Sequence, residues 1–255
     1  MKNTLFKSDI IYAFAIFFLI SSCGDCSSSS RRQRAREIQQ KDDSRRNKNQ
    51  TGDSAPTSTR REIPSPSTNS GKDKSITEVV AQAEKCVFIV YAVDGSRTIG
   101  QGTGFFISEE GIGVSNHHVF APSTEWVIEN VNKEQFQVTE VIKQSEDFDF
   151  VVFRVESKGK KVPFLPLSAI TPQKGENILV LGNPQGLEST LTRGIVSAIR
   201  NQENADDLIQ IDAAISPGSS GSPVINMKGE VVGIATKKVV GCENCNFAYN
   251  IKRIQ

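Results

Sequence analysis

Residues 102–119 read Gly-Thr-Gly-Phe-Phe-Ile-Ser-Glu-Glu-Gly-Ile-Gly-Val-Ser-Asn-His-His-Val. Two apolar segments, 102–107 and 112–115, are separated by Ser-Glu-Glu-Gly. Each is too short for a helix, rich in Phe, Ile or Val, and bounded by turn residues, which is how strands read. The same grammar continues in both directions, at about 86–92, 125–129, 135–143, 150–155, 176–182, 190–199, 208–212, 223–226, 230–237 and 246–250. No long helical pattern alternates with these segments, which argues against a doubly wound α/β domain. Twelve short strands predict an all-β chain of two six-stranded antiparallel barrels, barrel 1 at about 86–156 and barrel 2 at about 175–255. The stretch from Ser157 to Glu176 would connect them.

Upstream of the strands the grammar changes. Ser75-Ile-Thr-Glu78 has the spacing of a capping box and predicts a short helix through Val-Val-Ala-Gln-Ala-Glu-Lys. Residues 23–74 are nearly devoid of apolar side chains and read as a basic, Ser-rich disordered tether, because burial there cannot offset the cost of ordering backbone. Residues 27–74 carry 12 Lys or Arg against 6 Asp or Glu, although the whole chain has a formal net charge of only +1. That balance gives no reason to expect a nucleic-acid partner. At the start, Lys2 and Lys7 precede an apolar run, Ile10–Ile20, and then small residues. This is the anatomy of an export signal over residues 1–22, too short for a membrane span of about 20 residues. Ile20-Ser-Ser-Cys23 resembles the bacterial lipobox. The resemblance implies cleavage before Cys23, a lipid on that residue, and an exported protein held at the membrane of the cell envelope.

Three segments carry chemistry. They are Gly113-Val-Ser-Asn-His117-His118-Val119, Asp147-Phe-Asp149-Phe-Val-Val-Phe, and Asp212-Ala-Ala-Ile-Ser-Pro-Gly218-Ser-Ser220-Gly-Ser-Pro223. A serine hydroxyl needs a base with a pKa near the working pH, and the base needs a carboxylate that holds its tautomer. The chain has only two histidines, both before the candidate serine, so the order Ser–Asp–His of the α/β-hydrolases is excluded. With Leu179-Val-Leu-Gly-Asn-Pro-Gln-Gly, Thr192-Arg-Gly-Ile-Val-Ser-Ala and Gly229-Glu-Val-Val-Gly-Ile, these segments resemble the trypsin-like serine proteases, most closely the HtrA/Deg protease domain. The resemblance implies a triad of His118, Asp149 and Ser220, an oxyanion hole from the N–H groups of Gly218 and Ser220, and no cofactor or metal. His118 is preferred to His117 by its place before Val119, and because neighbouring side chains of an extended segment diverge. Asp149 is preferred to Asp147 because it directly precedes the apolar strand. Ser219 stands where an activating Asp is found in digestive trypsins, which argues against zymogen activation by an inserted N-terminus. The sequence stops at Gln255 just after the last strand, so no PDZ domain is expected.

By the same resemblance Ala214 and Ile215 form the base of the S1 pocket, with the strand around Thr236 as a wall and the Thr236 hydroxyl placed to support the triad acid. Neither base residue is acidic, so small or aliphatic P1 residues are expected in protein or unfolded polypeptide substrates. Cys242-Glu-Asn-Cys245 is a CxxC between the last two strands, a setting unlike a redox helix. A structural disulfide is the expected use, either within the pair or from one member to Cys86. A zinc site would want four N or S ligands, and the chain lacks a spare set. Two other readings remain open at this point. One is a catalytically silent protease-fold binding protein, for which Ser222 in place of a common glycine argues. The other is a CxxC redox protein.

Overall fold

The computed structural model describes residues 63–65, 71–183, 190–202, 205–238 and 245–255. Twelve strands occur among them: β1 Val87–Asp94, β2 Arg97–Phe106, β3 Ile112–Ser115, β4 Glu125–Asn130, β5 Gln135–Ser145, β6 Phe150–Val155, β7 Asn177–Gly182, β8 Thr190–Gln202, β9 Ala205–Ile211, β10 Pro223–Asn226, β11 Val231–Lys238 and β12 Asn246–Asn250. They close into two antiparallel barrels, β1-β2-β3-β6-β5-β4 and β10-β11-β12-β9-β8-β7. Pairing of β1 with β4 closes the first, and pairing of β7 with β10 closes the second. Closure leaves no free strand edge, which removes the usual template for aggregation.

The apolar runs are buried on both faces. Phe88, Phe106, Val151 and Phe153 fill barrel 1, while their neighbours Val87, Phe105, Phe150 and Val152 join a cluster between the barrels. In β7, Ile178 and Val180 fill barrel 2, whereas Leu179 and Leu181 turn to the same inter-barrel cluster. Period-two alternation therefore sorts one continuous run into two cores. The connection after β6 lies against both barrels: Leu165 N–H donates to Phe106 O at 2.9 Å, and Val231 N–H donates to Pro166 O at 2.8 Å.

Helix α1, Ile76–Ala83, forms where Ser75 predicts it. Glu78 N–H donates to Ser75 Oγ at 3.3 Å, and Ser75 N–H donates to Glu78 Oε2 at 2.8 Å. Val79 and Ala83 then cover the inter-barrel core. Two described residues of the expected tether touch the fold. Ile63 packs against the inter-barrel cluster, and Lys74 N–H donates to Met227 O at 2.8 Å. A single Ile in a polar stretch has no periodicity to reveal it. The remainder of residues 1–62, with Cys23 and the export signal, lies outside the described residues. No helix among the described residues is long and apolar enough to cross a membrane.

Candidate active site

The histidine pair is not extended. Asn116 is extended (φ −80°, ψ 147°), and residues His117–Phe120 then form one helical turn, α2. Val119 and Phe120 are buried in barrel 1 and fix that turn. The Phe120 ring stacks on Trp126 at 4.8 Å and meets Phe153 at 4.8 Å, and Trp126 Nε1–H donates to Phe120 O at 3.1 Å. The choice between the two histidines thus comes from the ~100° step of a helix and not from strand alternation. It brings His118 rather than His117 to Asp149.

His118 reaches Asp149. His118 Nδ1 lies 2.8 Å from Asp149 Oδ2 and 3.0 Å from Oδ1, and the His118 backbone N–H donates to Oδ1 at 3.0 Å. Asp149 occupies a tight turn between β5 and β6 with φ +46°, a left-handed conformation that Asp tolerates better than most residues. Asn116 Nδ2–H donates to Asp149 O at 2.7 Å and fastens this turn to the histidine turn. A third donor comes from the other barrel: Thr236 Oγ1–H donates to Asp149 Oδ2 at 2.5 Å. Burial is the largest influence on Asp149 and pushes its pKa up. The hydrogen bonds from the His118 ring, Thr236 and the His118 backbone together outweigh it and hold the carboxyl below its ordinary value. Asp147 forms no hydrogen bond or ion pair with either histidine among the described residues.

Ser220 sits in the turn before β10. Its hydroxyl donates to Thr236 O over a long 3.4 Å, and among the described residues it forms no hydrogen bond with His118. Thr236 therefore touches both Asp149 and Ser220, one through its side chain and one through its carbonyl. Gly218 has φ +94° and follows Pro217, and Ser219 N–H donates to Ser216 O at 2.9 Å. Proline then a positive-φ glycine at the centre of a four-residue turn is the type II pattern. Among the described residues, neither Gly218 N–H nor Ser220 N–H has a hydrogen-bond partner. Two free donors beside a serine hydroxyl are what an oxyanion hole requires.

Thr103 was not singled out in the sequence, yet it holds this turn from barrel 1. Its N–H donates to Ser220 O at 2.8 Å and its Oγ1–H to Gly218 O at 2.7 Å, while Oγ1 accepts from Asn183 N–H at 3.1 Å. The approach is close enough that a Cβ on Gly221 (φ +87°) would lie 2.1 Å from Thr103 O. The Gly102-Thr-Gly104 stretch was the only available signal.

A profile of the Trypsin-like peptidase domain family matches residues 102–234, just over half of the chain. The chain belongs to this family. It is 36% identical over 150 residues to a protein of Chlamydia trachomatis named "Probable periplasmic serine endoprotease DegP-like", covering 57% of this chain and 30% of that one. It is 34% identical over 145 residues to "Serine protease HTRA1" of Xenopus laevis, covering 54% of this chain and 31% of that one. It thus spans about a third of the length of these relatives. The crystal structure of the serine endoprotease from Yersinia pestis superimposes with a TM-score of 0.63 at 26% identity, covering 72% of this chain and 65% of that one.

The remaining expected positions of this trypsin-like domain divide. Ala214 is exposed and Ile215 is buried. Thr192 Oγ1–H donates to Ala214 O at 3.0 Å, and Asn246 Nδ2–H donates to Ala213 O at 2.8 Å, so side chains from β8 and β12 hold this segment. Thr236, expected on the S1 wall with its hydroxyl toward the triad acid, donates that hydroxyl to Asp149. Cys245 is disulfide-bonded and Cys86 is a free, buried thiol, which removes the expected alternative of a bridge to Cys86. Cys242 lies outside the described residues.

Proposed function

We propose that this chain is a serine endopeptidase, with His118 as base, Asp149 as its orienting acid and Ser220 as nucleophile. The observation that carries the reading is the Asp149 carboxylate, which receives His118 Nδ1 at 2.8 Å, while the N–H groups of Gly218 and Ser220 have no partner among the described residues. His118 Nδ1–H bound to Asp149 leaves Nε2 free to accept a proton. Ser220 Oγ attacks the peptide carbonyl carbon and passes its proton to Nε2, and the oxyanion that forms is held by Gly218 N–H and Ser220 N–H. Collapse expels the amine, which takes the proton from His118 and leaves an acyl-enzyme. A water molecule repeats the sequence and frees the carboxylic acid.

Ala214 and Ile215 offer no charge to a P1 side chain, which supports small or aliphatic P1 residues. Relatives named as periplasmic endoproteases support action in the cell envelope on protein or unfolded polypeptide substrates, as in quality control or processing. A lipid on Cys23 would hold the domain at a membrane there.

The hydroxyl of Ser220 points to Thr236 O and not to His118, which favours a second reading, a protease-fold protein that binds without turnover. Treating the whole chain and Ser220→Ala with a fluorophosphonate probe and unfolded casein separates the two. A peptidase labels and cleaves, and loses roughly 10⁴-fold or more of its activity in the variant. A folded wild type that does neither leaves the binding protein.

A further inference from the structure

The turn that carries Asp149 has little local support. Its own bonds are Asp149 N–H to Glu146 O at 3.2 Å and Phe148 N–H to Ser145 Oγ at 3.3 Å, both long. A non-glycine residue at φ +46° relaxes unless its surroundings over-determine it. On Asp149 itself they include Asn116 and His118 of barrel 1, but the two residues before it are held from the other barrel. Tyr249 on β12 is 6% exposed, and its hydroxyl donates to Asp147 O at 3.2 Å. The Tyr249 ring meets Phe148 edge-on, with centroids 6.2 Å apart and planes at 90°. The Arg253 guanidinium lies 4.2 Å from the centre of the Phe148 ring, a cation–π distance. Lys143 of β5 closes the assembly by donating from Nζ to Arg253 O and Gln255 O, each at 3.2 Å. Burial first, and then the nearby charges of Asp149 and Asp147, raise the Tyr249 pKa, so the phenol remains a donor.

We propose that Tyr249 and Arg253 are positioning residues for peptide hydrolysis, bracing Asp147 and Phe148 from barrel 2 so that the Asp149 carboxylate stays on His118 Nδ1. The proposal rests on the serine-protease reading but assigns a role to residues after the last triad member. Among the described residues no hydrogen bond joins either side chain to His118 or Ser220, so both act through Asp149. Catalytic groups displaced by about 1 Å lose up to ~10²-fold in rate, and loss of one neutral hydrogen bond in the brace should cost about 3- to 10-fold.

Three readouts test it, on the whole chain. Tyr249→Phe keeps the ring and removes the donor, and Arg253→Gln alters only a half-buried side chain should the first variant fold poorly. With a peptide substrate, kcat is expected to fall about 3- to 10-fold while KM stays. An unchanged kcat, or a change in KM alone, would overturn the proposal. Combined with Asp149→Asn, either substitution should cost nothing further, whereas additive losses would show a role independent of Asp149. Imidazole nitrogen NMR in a His117→Gln background reads the His118 tautomer without any turnover. Both variants should lower the Nδ1-protonated population, and an unaltered spectrum would refute the brace. A wild type that fails to label with fluorophosphonate would defeat the protease reading alone, since the tautomer measurement still decides the brace.

Discussion

Replacing Thr236 by Val removes one oxygen from the active site and almost no volume. Asp149 then keeps its bonds from the His118 ring and backbone and loses the one from Thr236 Oγ1 to Oδ2. A hydrogen bond to a charged group contributes about 1.5–3 kcal/mol. The Asp149 side chain retains 17% exposure, so water partly replaces the donor, and the lower end of that range, about 1.5 kcal/mol, is the better estimate. If the loss falls on the imidazolium-like transition state, kcat/KM drops about tenfold, at ~1.4 kcal/mol per decade. Thr236→Ser keeps the donor and should stay near wild type.

Stability should respond with a definite sign. The Asp149 pKa in the fold lies below its ordinary value of 3.8. Its charge therefore stabilises the fold above that value, and the contribution disappears as pH falls through the lower folded pKa. Without Thr236 the folded pKa rises, so the Val variant should begin acid unfolding at higher pH. The assays are kcat/KM on a fluorogenic peptide at neutral pH and fluorescence-monitored acid unfolding. Activity of Thr236→Val within about twofold of wild type, together with an unmoved acid transition, would refute the assignment of Thr236 as a functional donor to Asp149.

Two further expectations concern the scaffold. Burial pushes the Cys86 thiol up to about 12, and its Sγ–H donates to Gln82 O at 3.3 Å, so a maleimide at pH near 8 should leave Cys86 unmodified until urea unfolds the domain, as read by peptide mass mapping. Ser75→Ala removes the acceptor for Glu78 N–H at the start of α1 and should cost about 1 kcal/mol, lowering Tm by roughly 2–4 °C in calorimetry, because that helix covers the inter-barrel core.

Much of the fold was legible because strand formation is governed by local pattern. Short Val-, Ile- and Phe-rich segments between turn residues located twelve strands, most of them within a few residues of their ends. The clearest miss was the start of β2. Arg97–Gln101 is exposed or half-buried and holds one apolar residue, Ile99, too little to mark a strand; it is a strand because Asp94-Gly95-Ser96-Arg97 folds it back on β1. The helical turn at His117–Phe120 was read as extended for a related reason. Four residues are too few to show a helical period, and what holds them is the burial of Val119 and Phe120 among aromatic rings.

By itself the sequence determined the strand inventory, the capped helix, the order His, Asp, Ser, and the motifs that mark a trypsin-like domain. All of these reside in residues adjacent along the chain. Tertiary structure alone decided which side of each apolar run faces a barrel interior and which faces the other barrel, since Phe-Val-Val-Phe and Ile-Leu-Val-Leu are apolar throughout. It alone placed Thr103 under the Ser220 turn and set Tyr249 and Arg253 against Phe148, and it turned the Thr236 hydroxyl, which only a family resemblance had pointed at the acid, into a bond to Asp149. These contacts join residues 87 to 117 positions apart for Thr236–Asp149 and Thr103–Ser220, and about a hundred for Tyr249–Asp147. A threonine or tyrosine in a strand has the same local signature whatever its hydroxyl will meet, and only the closure of two barrels onto each other determines the partner.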